Sequence, residues 1–342
     1  RFCKNSNRIR RKRVNSLPKH GWSTEKKLRF FYFKGMKIVF MGTPAFAAFF
    51  LESLLKTPHE IACVVTQPDR PAGRGRVLTP PPVKEVALAA GIPVLQPDDL
   101  KSEEFENALR EYQADLFVVV AYSILPQKIL TLSRFGALNV HGSLLPKYRG
   151  AAPVQRAIAN CELQTGVTVF LLDEKMDHGP VLERRIVPID IQDTTATLLE
   201  KMQAPGFEAL LSAINALENG TQKFLEQEHT EATPAPKLKK EEGKIDFNLS
   251  ALEIHNRIRA FSPWPGGYAS LQRKTIYFRK TSVSEKSMNL KPGEAKIEKD
   301  FLYVGTSNGV LEILSVQVEG KREMLVADFL RGLQMREGLQ FC

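Results

Sequence analysis

Asn139 and His141 stand two residues apart in Leu138-Asn139-Val140-His141, a short apolar run that breaks at Gly142 into Ser143-Leu144-Leu145-Pro146-Lys147-Tyr148-Arg149-Gly150. On an extended chain, residues i and i+2 project to one side, with Val140 on the other. A carboxamide and an imidazole displayed together at a strand end can bind and polarise a carbonyl oxygen. The amide N–H donates to the oxygen as charge develops, and a protonated ring serves as a second donor and a proton source. A lone Asn or His at a strand end more often satisfies backbone groups, so the surrounding elements decide what the pair is for.

Those elements begin at Met36. Ile38-Val39-Phe40-Met41 is a short strand ending at Gly42-Thr43-Pro44, where Thr43 is expected to cap a helix and Pro44 to sit in its first turn. Phe46, Phe49, Phe50 and Leu54 share a helical face, and Ile61 to Val65 is a second strand. This is a β-α-β unit opening a parallel sheet. Helices follow at Val83 to Ala90, closing on Gly91, and at Glu103 to Tyr112. The unbroken run Leu116-Phe117-Val118-Val119-Val120 reads as a strand buried on both faces, and Leu138 to Val140 and Val167 to Leu172 supply more. The prediction is an α/β fold: a doubly wound, mostly parallel, Rossmann-like sheet. The first βα turn has Gly42 alone, followed by Thr43-Pro44-Ala45 where a second glycine would let a pyrophosphate approach, so NAD binding is not expected.

Composition shifts between Glu218 and Gly243, through Asn219-Gly220, Thr233-Pro234-Ala235-Pro236 and a lysine-rich run. A helix over Ala251 to Ala260 stops at Phe261-Ser262-Pro263-Trp264-Pro265-Gly266-Gly267. Short strands at 268–271, 275–279, 301–305 and 310–318 then predict a smaller C-terminal β-barrel, OB-like. The expected organisation is a basic, disordered N-terminal extension (1–35), a catalytic domain (36–220), a linker (221–236) and the barrel (237–342).

The chain of 342 residues carries a net charge of +10, but 12 lysines and arginines against Glu25 put +11 of it in residues 1–35, leaving −1 for residues 36–342. Bulk charge therefore gives no case for nucleic acid; only local patches do. Residues 1–35 are open to three readings: a transit peptide, a basic RNA-binding arm, or upstream translated sequence without a role. The last is favoured because Met36 runs straight into a strand. Cys3, Cys63, Cys161 and Cys342 show no metal-ligand spacing, which argues against a metal site and a disulfide framework. No apolar run approaches the roughly 20 residues needed to span a bilayer, so a soluble chain is expected; the further expectation is a cytoplasmic bacterial monomer, or an organellar protein if residues 1–35 are a transit peptide.

One local patch stands out. Gln67-Pro68-Asp69-Arg70-Pro71-Ala72-Gly73-Arg74-Gly75-Arg76 sets three arginines on a Pro/Gly loop, able to contact phosphates on an otherwise neutral body; an ordinary solvated loop is the plain alternative.

Taken together, Gly42-Thr43-Pro44, the Gln67 to Gly75 loop, Asn139 to Pro146, Arg149-Gly150-Ala151-Ala152-Pro153, Thr165-Gly166-Val167-Thr168, Met176-Asp177-His178-Gly179-Pro180 and Arg259 to Gly266 occur in the order found in the folate-dependent formyltransferases, which the chain resembles from Met36 onward. The resemblance implies transfer of a formyl group from 10-formyltetrahydrofolate, a co-substrate, to the α-amine of methionine on initiator tRNA, in translation initiation. It puts the family's catalytic Asn, His and Asp on Asn139, His141 and Asp177. It makes Ser143, Leu144, Leu145 and Pro146 a wall of the folate site, with Ile124, Leu125 and Pro126 contacting the pterin, and it points Arg70, Arg74 and Arg76 at tRNA. Without it, Asp177 would read as a turn residue. Ala121-Tyr122-Ser123-Ile124 is one residue shorter than the family's usual loop, which bears on the shape of that folate-lining segment. Two rival readings are a related formyltransferase or formyl hydrolase acting on a small molecule, and a non-catalytic RNA-binding protein built on the barrel. The cationic loop and the barrel argue against the first, the Asn139/His141/Asp177 set against the second.

Overall fold

The first strand, β1 (Lys37–Gly42), is apolar on both sides because it lies at the centre of a seven-stranded sheet. The structure, a computed structural model, describes residues 35–72, 77–333 and 337–342. All but Gly35 of the basic N-terminal extension falls outside the described residues. On one side of β1 lie β2 (Glu60–Val65) and then β5 (Val94–Leu95); on the other lie β6 (Leu116–Val120), β7 (Ala137–His141), β8 (Gln164–Leu171) and β9 (Val181–Pro188). The β5-β2-β1-β6-β7 portion is parallel, whereas β8 pairs antiparallel with β7 and β9 antiparallel with β8. The sheet is thus mostly parallel and Rossmann-like, as the sequence predicts.

Alternation along the strands feeds two cores. Ile38, Phe40, Val64, Val118, Leu138 and Val140 face one, which is closed by α1 (Ala45–Leu54), α2 (Pro82–Ala89) and the long helix Thr195–Asn219. Val39, Met41, Cys63, Val65, Phe117, Val119 and Ala137 face the other, against α3 (Glu103–Glu111) and α4 (Gln127–Leu130). All five residues of β6 are buried, each contributing about 1.5–3 kcal/mol relative to exposure. Because the chain leaves β1 for β2 and β5 before returning to place β6, the strand order reverses between β1 and β6. That switch point opens a crevice at the carboxyl ends of the strands.

Thr43 does not cap α1. The N-cap position falls on Pro44, whose carbonyl accepts from Ala48 N at 3.1 Å, and the Thr43 hydroxyl is buried without a hydrogen-bond partner. One residue of slippage puts the hydroxyl out of reach of the helix's first N–H groups. Within the stretch read as a loop, Arg70–Ala72 forms a strand, β3, that pairs antiparallel with β4 (Val77–Thr79).

The second sheet, in the order β10 (Gly267–Leu271), β11 (Lys274–Ser284), β14 (Val310–Val318), β13 (Phe301–Gly305), β12 (Glu294–Glu298) and β16 (Leu339–Gln340), is antiparallel and nearly closed, with β15 (Glu323–Leu325) added on β14. Its interior is Phe247, Ile276, Phe278, Leu302, Val304, Leu311 and Phe341. The helix Ala251–Ala260, α7 with Thr195–Asn219 as α6 and Pro153–Ala159 as α5, covers this barrel and packs on α5. Buried Arg259 ties it to the turn that follows β9, donating to the carbonyls of Asp190 and Asp193, and it also donates to Asn256 Oδ1.

Candidate active site

β7 alternates as expected: Leu138 and Val140 enter one core, and Asn139 and His141 share the other face with Ala137. Asn139 is half-buried, and its carboxamide makes no hydrogen bond to any group among the described residues. The His141 ring is buried, 6% exposed, and stands edge-on to Phe170. Its Nε2 lies 2.8 Å from the Tyr148 carbonyl. A carbonyl only accepts, so Nε2 carries hydrogen here and Nδ1 is the nitrogen left for proton exchange. Asp177 Oδ2 is 3.7 Å from that Nδ1.

Asp177 arrives by a route the sheet order alone does not suggest. β8 runs antiparallel to β7, so its end lies beside the start of β7, and the turn to β9 folds back over the sheet to reach His141. The turn is tight: Leu171 N donates to Pro180 O, and a Cβ on Gly179 would stand 1.9 Å from the Leu171 carbonyl oxygen. Asp177 itself has φ 51°, a left-handed conformation that Asp tolerates better than most non-glycine residues at a cost of about 1 kcal/mol.

The structure brings a second set of groups to the trio. Gly150 N donates to Asp177 Oδ2 at 2.7 Å. Tyr148 N donates to Thr233 Oγ1, and Arg149 N and Ala235 N make main-chain bonds that lay segment 233–235 alongside Arg149. Buried Gln227 bridges the Asp177 turn and Arg149. His178 gives its Nδ1 hydrogen to Asp173 and stacks on His229, with ring centroids 3.9 Å apart, while His229 Nδ1 accepts from Arg149. The stretch read as a linker therefore packs against the site. Gln227 and Thr233 carried no signal in the sequence, since both sit among charged and turn residues without periodicity. Burial pushes the phenols of Tyr122 and Tyr148 up to about 12, Tyr148 further so through Glu162 against the opposing bond from Asn160. Both phenols stay protonated near neutrality.

The residues expected around folate divide by exposure. Ser143 and Leu145 are fully buried: the Ser143 hydroxyl donates to Lys147 O, and Leu145 packs on Phe170 and Val181. Thr168 Oγ1 fixes this loop, donating to Ser143 O at 2.6 Å and accepting from Leu145 N at 3.1 Å. Leu144 and Pro146 are half-buried. After β6, Leu125 is buried and Pro126 caps α4, whereas Ile124 is 70% exposed. The main-chain N–H groups of Tyr122, Ser123 and Ile124 donate to no protein group among the described residues. Arg70 donates to Gln67 Oε1, and Gln67 in turn to Ser123 Oγ, linking the hairpin base to that loop. Arg74 and Arg76 lie outside the described residues.

A parallel sheet with its switch-point crevice, an Asn/His pair on one strand face and a carboxylate folded onto the imidazole define a site for acyl chemistry without a covalent nucleophile. Residues 36–214 match the family model described as formyl transferase, and residues 237–334 that of the formyl transferase C-terminal domain. The chain belongs to the formyl transferase family and is an enzyme of one-carbon formyl transfer. It is 44% identical over 304 residues, 88% of this chain and 94% of the relative, to the methionyl-tRNA formyltransferase of Desulfotalea psychrophila. Among solved structures it is similar to WlaRD, a sugar 3N-formyl transferase in the presence of dTDP and 5-N-formyl-THF (TM-score 0.63, 21% identity, 84% of this chain and 99% of that one). It is also similar to HypX from Aquifex aeolicus in complex with tetrahydrofolic acid (TM-score 0.61, 19% identity, 86% of this chain and 47% of that one). This chain thus spans about half the length of HypX, and at such identities the likeness is one of fold. Among the described residues no helix is long and apolar enough to cross a membrane, and no group of His, Cys, Asp and Glu is arranged to hold a metal ion.

Proposed function

We propose that this chain moves the formyl group of 10-formyltetrahydrofolate to the α-amine of methionine carried on initiator tRNA, preparing that tRNA for translation initiation in the cytoplasm. The observation that carries the reading is the approach of Asp177 Oδ2 to His141 Nδ1 beside the unpartnered amide of Asn139.

Transfer requires the amine to add to the formyl carbon and the bond to the folate nitrogen to break. The amine loses one proton and the departing nitrogen gains one. Asn139 donates its amide N–H to the formyl oxygen as negative charge builds there. His141, held through Nε2 by the Tyr148 carbonyl, offers Nδ1 to carry the proton to the departing nitrogen. Asp177 stands beside that nitrogen, and its Oδ1, which takes no hydrogen bond among the described residues, receives the proton of the amine.

The free main-chain N–H groups of Tyr122, Ser123 and Ile124 and the exposed Ile124 side chain suit a flat heterocycle with polar edges. The folate is therefore assigned to the crevice between this loop and Leu144–Pro146. Arg70, Arg74 and Arg76 are assigned to tRNA phosphates, together with the barrel. Residues 36–220 act as the catalytic domain, 221–236 as the connection and 237–342 as the tRNA-binding barrel of a monomer. The near match of the two family-model ranges and the relative's name support this reading.

The test is direct: purified protein, 10-formyltetrahydrofolate and methionyl initiator tRNA should give formylmethionyl-tRNA, and His141→Ala should nearly abolish it. Transfer to free small amines but not to charged tRNA would sink the proposal.

A further inference from the structure

Gln227 lies 4% exposed in the polar stretch between the two sheets, and every hydrogen-bonding position of its side chain is used. Nε2 donates to the main-chain carbonyls of Asp177 at 3.0 Å and of Gly179 at 2.7 Å. Oε1 accepts from Arg149 Nε at 3.2 Å and Nη2 at 2.6 Å. The residue following Arg149 is Gly150, whose N–H holds Asp177 Oδ2. The contacts close into a ring: Asp177 carboxylate, Gly150 peptide, Arg149 guanidinium, Gln227 carboxamide, and back to the Asp177 carbonyl.

We infer that Gln227 is a positioning residue that sets the Asp177 carboxylate against His141 by clamping the main chain of the Asp177 turn to Arg149. The turn needs such a clamp. It carries a non-glycine residue at φ 51° and folds back over the sheet, away from strand hydrogen bonding. Apart from the contact with His141, the bonds to Asp177 from outside its turn are those of Gly150 N and Gln227 Nε2 among the described residues. A carboxamide suits the position because it must donate to two carbonyls and accept from a guanidinium at once; a carboxylate or a lysine could do only one of these. Gln227 is buried and touches no reacting atom, so its effect passes through the main chain it holds at the Asp177 turn and through the Arg149 side chain.

This inference rests on the proposed role of Asp177, and a double-mutant cycle separates the two. Formyl transfer is measured for the full chain, Gln227→Met, Asp177→Asn and the double variant, at saturating and limiting folate. Gln227→Met is expected to lower kcat about 10- to 100-fold with the folate KM within about twofold, and to add less than about twofold to the loss already caused by Asp177→Asn. The same fold loss in both backgrounds, or a raised KM with kcat kept, would show a structural role and overturn the inference. Gln227→Glu keeps the shape and the grip on Arg149 but loses both donor bonds; it should give the same pattern and replaces the Met variant if that one does not fold. Asp177→Asn with wild-type kcat would overturn the catalytic reading and this one together. A crippled Asp177→Asn beside an unimpaired Gln227→Met and Gln227→Glu would overturn this one alone.

Discussion

The main-chain N–H of Gly150 donates to Oδ2 of Asp177 at 2.7 Å, and that same oxygen stands 3.7 Å from Nδ1 of His141. One carboxylate oxygen thereby holds the two loops together, and the other takes no hydrogen bond among the described residues. The bond also joins two loops far apart in sequence, the one after β7 and the one after β8, so the distance between acid and base groups is set by backbone rather than by long side chains.

Gly150→Ala tests that bond. Gly150 has φ 126°, and an added Cβ would lie 2.6 Å from the Ala235 carbonyl oxygen, so both conformation and space oppose a side chain. The variant should lose about 2–3 kcal/mol of stability and should also fall in kcat, because relief of the clash moves the Gly150 N–H away from Asp177. Urea unfolding and steady-state kinetics check both; an unchanged unfolding midpoint would mean the segment around Ala235 yields freely.

Asn139→Ala should separate chemistry from folding. The half-buried amide has no partner among the described residues, so removing it leaves none of their buried groups unsatisfied, and stability should stay within about 0.5 kcal/mol. A lost oxyanion donor typically costs about 10²–10³ in kcat. A variant that melts early while its kcat is preserved would mark Asn139 as structural.

How much of this was legible depends on where each residue's position comes from. Strand Leu116–Val120 follows from an unbroken apolar run and the shared face of Asn139 and His141 from alternation, both local properties, and both stand in the structure. Asp177 could be reached only through the family resemblance, because its place depends on the antiparallel course of β8, which nothing in Val167 to Leu172 announces. Gln227 was hidden for a different reason: hydrogen bonds bury it, and a polar segment stabilised that way has the composition of a linker. Thr43 shows the limit of capping rules, which name the right residue types but slip by one position ahead of a proline.

The hairpin β3–β4 should separate nucleic acid from folate. Arg74→Ala is expected to raise the KM for charged tRNA by about tenfold and to lower the salt slope of kcat/KM by roughly one, as loss of a single phosphate contact does. The folate KM should hold, since the bridge to Ser123 is made by Gln67, which the substitution leaves in place. Equal damage to both substrates would make the hairpin a structural support of the loop after β6.

Acid sensitivity should arise where the two sheets meet. His255 on α7 gives its Nε2 hydrogen to the Ile191 carbonyl and takes a hydrogen bond from the Thr281 hydroxyl at Nδ1, which requires a neutral ring. Burial lowers its pKa from 6.5, the charge of Arg259 adds to this, and the Ile191 carbonyl opposes it. Because the unfolded chain takes up the proton first, the contribution of His255 is intact above about pH 6.5 and is lost as pH falls below that value toward the folded-state pKa, with a slope of at most about 1.4 kcal/mol per pH unit. His59, also lowered by burial, acts in the same direction. Urea unfolding of wild type and His255→Gln between about pH 5 and 7 should therefore give a shallower decline for the variant, which keeps a donor and an acceptor but does not titrate. Parallel curves would place the acid sensitivity elsewhere, with His59 the next group to replace.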